Sequence, residues 1–193
     1  MKIAIIRYNA GNIHSVRLAI RRLGFEPLVT EDPDAIRTAD KVIFPGVGEA
    51  SSAMRYIRQN GIAELLSELR QPVLGICLGL QLMCRFSEEN DTSCLGIFDA
   101  AVRKFPPKDK VPHIGWNTIR DLKGALFTGI DPDAYVYFVH SYYAELDSQT
   151  AARTDYILPF SAARQWRNFY AVQFHPEKSG AVGEQILKNF LEL

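Results

Sequence analysis

The chain has 193 residues, with 22 Lys and Arg against 22 Asp and Glu, and is 47% hydrophobic and 23% charged. These values suit one soluble domain, residues 1–193, that buries its own core without disulfide or metal staples. The charge balance excludes a broad nucleic-acid footprint, and no apolar run reaches the roughly 18 residues a membrane span needs.

Taken in chain order, Lys2–Tyr8 is a β-branched apolar run that reads as a strand, and Asn9-Ala10-Gly11-Asn12 reads as a turn. Ile13–Leu23 carries a helical stripe closed by Gly24. Phe25–Thr30 and Lys41–Pro45 read as strands, the latter running into Gly46-Val47-Gly48, and helical patterns follow through Arg70. Pro72–Ile76 is a fourth strand, after which Leu78–Phe86 has helical spacing. Apolar strands joined by helices predict a parallel sheet covered on both faces, hence an α/β fold. The second half differs. Ala100–Phe105, Ile114–Asp121, Tyr135–Glu145, Ser161–Trp166 and Phe169–Phe174 read as strands with short connections, before a last helix over Ser179–Leu193. These strands predict an antiparallel extension or a small second sheet, with residues 105–110 as a mobile loop.

The three cysteines are Cys77, Cys84 and Cys94, an odd number with no C-x-x-C pair, as expected in a reducing, cytoplasmic compartment. The opening M-K-I-A-I-I-R-Y is too short and strand-like for a signal peptide. Cys84 and Cys94 read as structural. Cys77 does not. It stands where a buried strand ends and a helix begins, in Gly75-Ile76-Cys77-Leu78-Gly79. That is the strand–turn–helix elbow of the G-x-S-x-G hydrolases with sulfur in place of oxygen. A glycine allows the tight turn or the close packing of helix on strand, and the helix N-terminus favours a thiolate.

A cysteine nucleophile needs a base, and the base needs a group that holds its tautomer. Of His14, His113, His140 and His175, the last follows an apolar strand and has Glu177 two residues on. In an extended segment those two side chains point the same way, and Pro176 keeps His175 out of helical geometry. His14, on a helix, and His113, in a loop, read as surface residues. His140 reads as near the site without a chemical role. The Cys and His spacings fit no zinc pattern, and no cofactor is expected. Attack on a carboxamide also needs N–H donors for the oxyanion. Leu78, directly after Cys77, offers one, and Val47, between two glycines, offers a second. A Gly-rich turn after a strand also suits a phosphate loop, although the sequence has neither G-x-G-x-x-G nor a Walker pattern.

Together these stretches resemble the class I, triad-type glutamine amidotransferases over nearly the whole chain. Six stretches are similar to one branch of that family, the glutaminase subunits of imidazole glycerol phosphate synthases. They are Gly11-Asn12 with Ser15-Val16, Pro45–Gly48, Gly75–Gly79 with Gln81, His113–Asn117, Tyr137–Tyr142, and His175–Ser179. The resemblance implies a flavodoxin-like glutaminase core docked as a heterodimer on a (βα)8-barrel cyclase. The pair would make imidazole glycerol phosphate and an aminoimidazole carboxamide nucleotide for histidine biosynthesis. It also implies that Gly48, Gln81, Glu89 and the backbone of Ser141 and Tyr142 hold glutamine. Asn12, Trp116, Tyr137 and Lys178 would face the partner, and the Gly46-Val47-Gly48 peptide would switch activity on. Two positions depart from the family pattern: Arg7 and Asn9 stand where an aspartate and a turn glycine are usual. A glutaminase for another aminating synthase and a stand-alone cysteine hydrolase share the same triad.

Overall fold

Ile3, Ala4, Ile5 and Ile6 are all buried, with Ile3 and Ile5 in one core cluster and Ala4 and Ile6 in another. A strand whose successive residues all seek cover must sit mid-sheet with layers on both sides. In the computed structural model, which describes residues 1–8 and 12–193, this strand is β1 (Ile3–Ile6). It is followed by α1 (Ile13–Arg22), β2 (Leu28–Thr30), α2 (Pro33–Arg37), β3 (Lys41–Gly46), α3 (Ala50–Gln59) and α4 (Ile62–Glu68). Then come β4 (Val73–Cys77), α5 (Leu78–Met83), β5 (Cys84–Ser87), β6 (Thr92–Ser93), β7 (Phe98–Lys104) and β8 (His113–Ile119). The chain continues through β9 (Ala134–His140), β10 (Tyr142–Ala144), β11 (Thr150–Tyr156), β12 (Leu158–Trp166), β13 (Phe169–Val172) and α6 (Gly180–Leu191). Most of the expected turn at residues 9–12 lies outside the described residues. No helix is long and apolar enough to cross a membrane among the described residues.

The main sheet runs β2-β1-β3-β4-β13-β12-β10-β7-β5-β6, with β11 hydrogen-bonded to β12. From β2 to β13 every pairing is parallel, and the antiparallel extension begins at β12. A second sheet consists of β8 and β9 alone. This is the expected α/β architecture, and both expected forms of the second half occur. One core layer sets Phe44, Met54, Leu65 and Leu80 against one face of the sheet. The other sets Ile20, Phe138, Ile186 and Phe190 against the opposite face.

Several boundaries differ from the sequence reading, each for a local reason. The helix expected over Leu78–Phe86 stops at Met83, and Cys84 turns extended (φ −68°, ψ 173°) to start β5. Cys84 stays in the core, but on a strand rather than a helix face. The strand expected over Tyr135–Glu145 is two strands in two sheets, broken at Ser141. β2 starts only at Leu28, after Pro27. β11, reading Thr-Ala-Ala-Arg-Thr-Asp-Tyr, has too little apolar alternation to announce itself. The five-residue α2 is carried by its Asp32 cap, which accepts from Asp34 N at 3.1 Å, and by Pro33. The loop expected at 105–110 begins inside the core. Phe105 is buried among His113, His140, Tyr143, Tyr156 and Phe160.

Candidate active site

β3, β4 and β13 lie side by side, and their C-terminal ends converge: Gly46 pairs with Cys77, and Val172 with Ile76. Open parallel sheets present their ligand crevice at this edge. A cavity here is lined by Val47, Gly48, Cys77, Leu78, Gln81, Glu89, Val139, His140, Ser141, Tyr142 and His175. Every residue that the sequence assigns to the nucleophile, its base, the oxyanion donors and glutamine is among them.

Cys77 has φ 54° and ψ −109°, a conformation side chains rarely adopt. The elbow is therefore formed, and its strain falls on the cysteine itself. The neighbouring glycines serve packing instead. A Cβ on Gly79 would lie 2.1 Å from the Phe44 carbonyl oxygen, and one on Gly75 2.9 Å from Met83 Sδ. α5 is thereby pressed against β3 and β4, with Leu78 N–H in its first turn and without an intrahelical acceptor. Gly48, at φ 112°, sits in the left-handed region, with open space where a Cβ would be. Burial pushes the other two thiols, Cys84 and Cys94, up to about 12, which leaves both inert.

His175 leaves β13 by three residues in extended geometry, as the following proline dictates. Glu177 is not extended, contrary to expectation: Pro176–Lys178 forms a 3-10 turn with Pro176 in its first position. The turn still brings the two side chains together, with His175 Nδ1 2.8 Å from Glu177 Oε1. Nε2 has no hydrogen-bond partner among the described residues, and the ring lines the cavity beside Cys77. Burial works to lower the His175 pKa, but Cys77 and Glu177 outweigh it and raise the value to about 10. That direction is the one a thiolate–imidazolium pair requires.

Asn12, expected at the partner face, is half-buried and donates from Nδ2 to the same Glu177 Oε1. It does not cap α1 with its side chain. Glu89 lines the cavity, but its Oε2 accepts from Ala50 N at 2.7 Å, so it also caps α3 beside Glu49. Burial, and secondarily Glu49, raises its pKa, against the hydrogen bond from Ala50. Gln81 donates to Tyr142 O and to Gln173 Oε1, both at 3.0 Å. Its two amide hydrogens are thus committed, and its Oε1 is what remains for a ligand. The Ser141 carbonyl accepts from Phe105 N at 3.0 Å.

Sequence reasoning misses three residues. Gln173, fully buried, donates from Nε2 toward Cys77 Sγ at 3.7 Å; its place two residues before His175 is the available signal. Tyr8, polar at the end of an aliphatic strand, buries a hydroxyl that has no partner among the described residues. That hydroxyl is 2.2 Å from where a Gly46 Cβ would be, directly under the Val47 turn. Burial first, and the nearby Cys77 second, raise its pKa. The third is His113. It is no loop surface residue: it opens β8, is 3% exposed, and lies opposite His140 with Nδ1 3.1 Å from His140 Nε2. His14 is exposed, as expected.

Beside the cavity, β8 and β9 turn Ile114, Trp116 and Tyr135 outward, each more than half exposed. Tyr137 packs edge-on against Trp116 at 6.0 Å, and Lys178 Nζ sits 6.0 Å from the Tyr137 ring. Trp116, Tyr137 and Lys178 thus form one patch. The strand beneath it accepts from His175 N through Tyr137 O at 2.9 Å.

An elbow cysteine and a carboxylate-held histidine lining one cavity at this sheet edge form a constellation suited to hydrolysis by a cysteine nucleophile. The chain belongs to the class-I glutamine amidotransferase family, whose model matches residues 5–193. Over its full length, and that of each relative, it is 61% identical to the imidazole glycerol phosphate synthase subunit HisH of Bacteroides fragilis. It is 48% identical to the HisH subunit of Escherichia coli, again over all of both chains. Solved structures share the fold. A putative GMP synthase subunit from Thermoplasma acidophilum superposes with TM-score 0.76 at 21% identity, covering 100% of this chain and 93% of that one. A Thermotoga maritima glutamine amidotransferase gives 0.65 at 17% identity, covering 100% and 81%.

Proposed function

We propose that the whole chain acts as the glutaminase domain of a cytoplasmic imidazole glycerol phosphate synthase. It would hydrolyse glutamine and pass the ammonia to a (βα)8-barrel cyclase subunit. The observation that carries this reading is the strained Cys77 elbow lining one cavity with a histidine whose Nδ1 is clasped by Glu177 and whose Nε2 has no partner among the described residues.

The Cys77 thiolate attacks the side-chain carbonyl of glutamine, and the N–H groups of Val47 and Leu78 receive the developing oxyanion. Protonated His175 gives its Nε2 proton to the departing nitrogen. Ammonia leaves, and a γ-glutamyl thioester remains on Sγ. His175, now neutral, takes a proton from water, whose oxygen attacks the thioester carbonyl. Glutamate leaves as Sγ regains its electron pair. Glu177 holds the ring and balances its charge throughout. Gly48, Gln81 Oε1, Glu89 and the Ser141–Tyr142 backbone hold glutamine, with the Glu89 carboxylate facing the substrate ammonium. The patch of Trp116, Tyr137 and Lys178 suits a partner protein: it is aromatic, edged by one cation and backed by the strand that binds His175. Asn12, hydrogen-bonded to Glu177, would link that face to the triad.

The test mixes the chain with a cyclase-type barrel protein and measures glutamate release with and without the cyclase's nucleotide substrate. Release stimulated by partner and nucleotide is expected. Cys77→Ala should lower glutamine-driven synthesis by more than about 10³-fold while ammonia-driven synthesis persists. Glutamate release indifferent to the partner would overturn the synthase reading.

A further inference from the structure

If the Tyr142 backbone holds glutamine, something must hold that backbone. Its carbonyl accepts from two sides: from Gln81 Nε2 at 3.0 Å and from His140 Nδ1 at 2.7 Å. A carbonyl only accepts, so His140 carries its proton on Nδ1, and its Nε2 is the acceptor when the ring is neutral. Among the described residues, the group on that nitrogen is His113 Nδ1, at 3.1 Å, which must therefore be the donor. The remaining nitrogen, His113 Nε2, then accepts from Asn117 Nδ2 at 3.3 Å. Asn117 is oriented independently, since Thr118 N donates to its Oδ1 at 2.8 Å and its Nδ2 also reaches Asp155 O at 3.1 Å. Protons thus run one way, from Asn117 to His113 to His140 to the Tyr142 carbonyl, with backbone anchors at both ends.

We propose that Asn117, His113 and His140 form a positioning relay that sets the Tyr142 carbonyl, and with it the glutamine-binding wall, from the reverse side of the partner-facing hairpin. The alternation of β8 makes this possible. Ile114 and Trp116 point out while His113 and Asn117 point in, so the strand that offers a docking patch on one face carries the relay on the other. The rings are held in place by stacking: His113 lies between Tyr156, at 4.0 Å, and Phe138, at 4.8 Å, while Phe105 and Phe160 pack on His140. Burial, the dominant cause for both, lowers the pKa of His113 to about 4 and of His140 to about 3, which keeps both rings neutral. A second proton on either ring would set two N–H groups face to face.

The relay rests on the glutaminase reading for its consequence, but its proton order does not. Nitrogen NMR of the imidazoles in the complex with the cyclase subunit should show the Nδ1–H tautomer for both His113 and His140. The Nε2–H form on either would overturn the relay even in an active enzyme, whereas inactive wild type with the stated tautomers would overturn only the glutaminase reading. His113→Phe keeps the stack and cuts the chain. It should raise the KM for glutamine about tenfold, with kcat and the rate of Cys77 alkylation within about twofold. Asn117→Asp, on the half-exposed hairpin, replaces the donor with an acceptor of the same shape and should raise KM similarly. The double variant should be no worse than His113→Phe alone. Unchanged KM in Asn117→Asp with active wild type, or KM increases that multiply, would overturn the relay.

Discussion

His175 and His140 line the same cavity and both are buried, yet their pKa values move in opposite directions, because burial is outweighed at the first and prevails at the second. Glu177 and Cys77 stand beside His175 and favour its charged form. A backbone carbonyl and a second histidine stand beside His140, and burial favours its neutral form. The difference shows what a buried imidazole becomes when its neighbour is a charge and when it is a dipole. The first moves protons, and the second holds a shape.

Glu177→Gln breaks this contrast most sharply, because it turns the charged neighbour into a dipole. Steady-state kinetics in the complex should show kcat lower by about 10²–10⁴-fold, with KM for glutamine little changed. Asn12→Ala is a smaller blow to the same cluster. It removes one hydrogen bond to Glu177 Oε1, and kcat should drop about five- to tenfold. The pH dependence of stability sharpens the contrast with the smallest expected effect. His113 and His140 have folded pKa values below the ordinary 6.5, so their contribution is present above pH 6.5 and is lost as pH falls through about 4 for His113 and about 3 for His140. The folded pKa of His175 is raised, so its contribution is present below pH 6.5 and is lost as pH rises through about 10. Thermal melts should therefore show His113→Phe with a flatter acid limb than wild type, and His175→Gln with a flatter alkaline limb, by a few degrees.

The two clusters are unequally legible in the sequence. Cys77 ends an apolar run and His175 directly follows one, and a local pattern of that kind survives without any knowledge of the fold. The parallel half is legible for the same reason, since β1, β3 and β4 are continuous apolar runs. His113 and His140 are 27 residues apart and meet only through the β8–β9 register, which no local pattern encodes. The Tyr135–Glu145 run hides a change of sheet at Ser141, because both strands are apolar and no Gly or Pro marks the break. Gln173 and Tyr8 act through contacts with the ends of distant strands; Gln173 is marked only by its place two residues before His175, and Tyr8 only as a polar end to an aliphatic strand. Glu177 is found by its proximity to His175, although the turn that delivers it differs from the extended segment expected.

The strain at Cys77 has a consequence for how such a chain would drift. At φ 54° and ψ −109° a glycine would sit more easily than any side chain, by an amount on the order of 1–3 kcal/mol. Selection for folding alone would therefore favour losing the nucleophile. That a cysteine stands on a turn that folding alone would give to glycine, packed beside a Gly79 whose Cβ would strike the Phe44 carbonyl, ties this residue to chemistry rather than to inert stability.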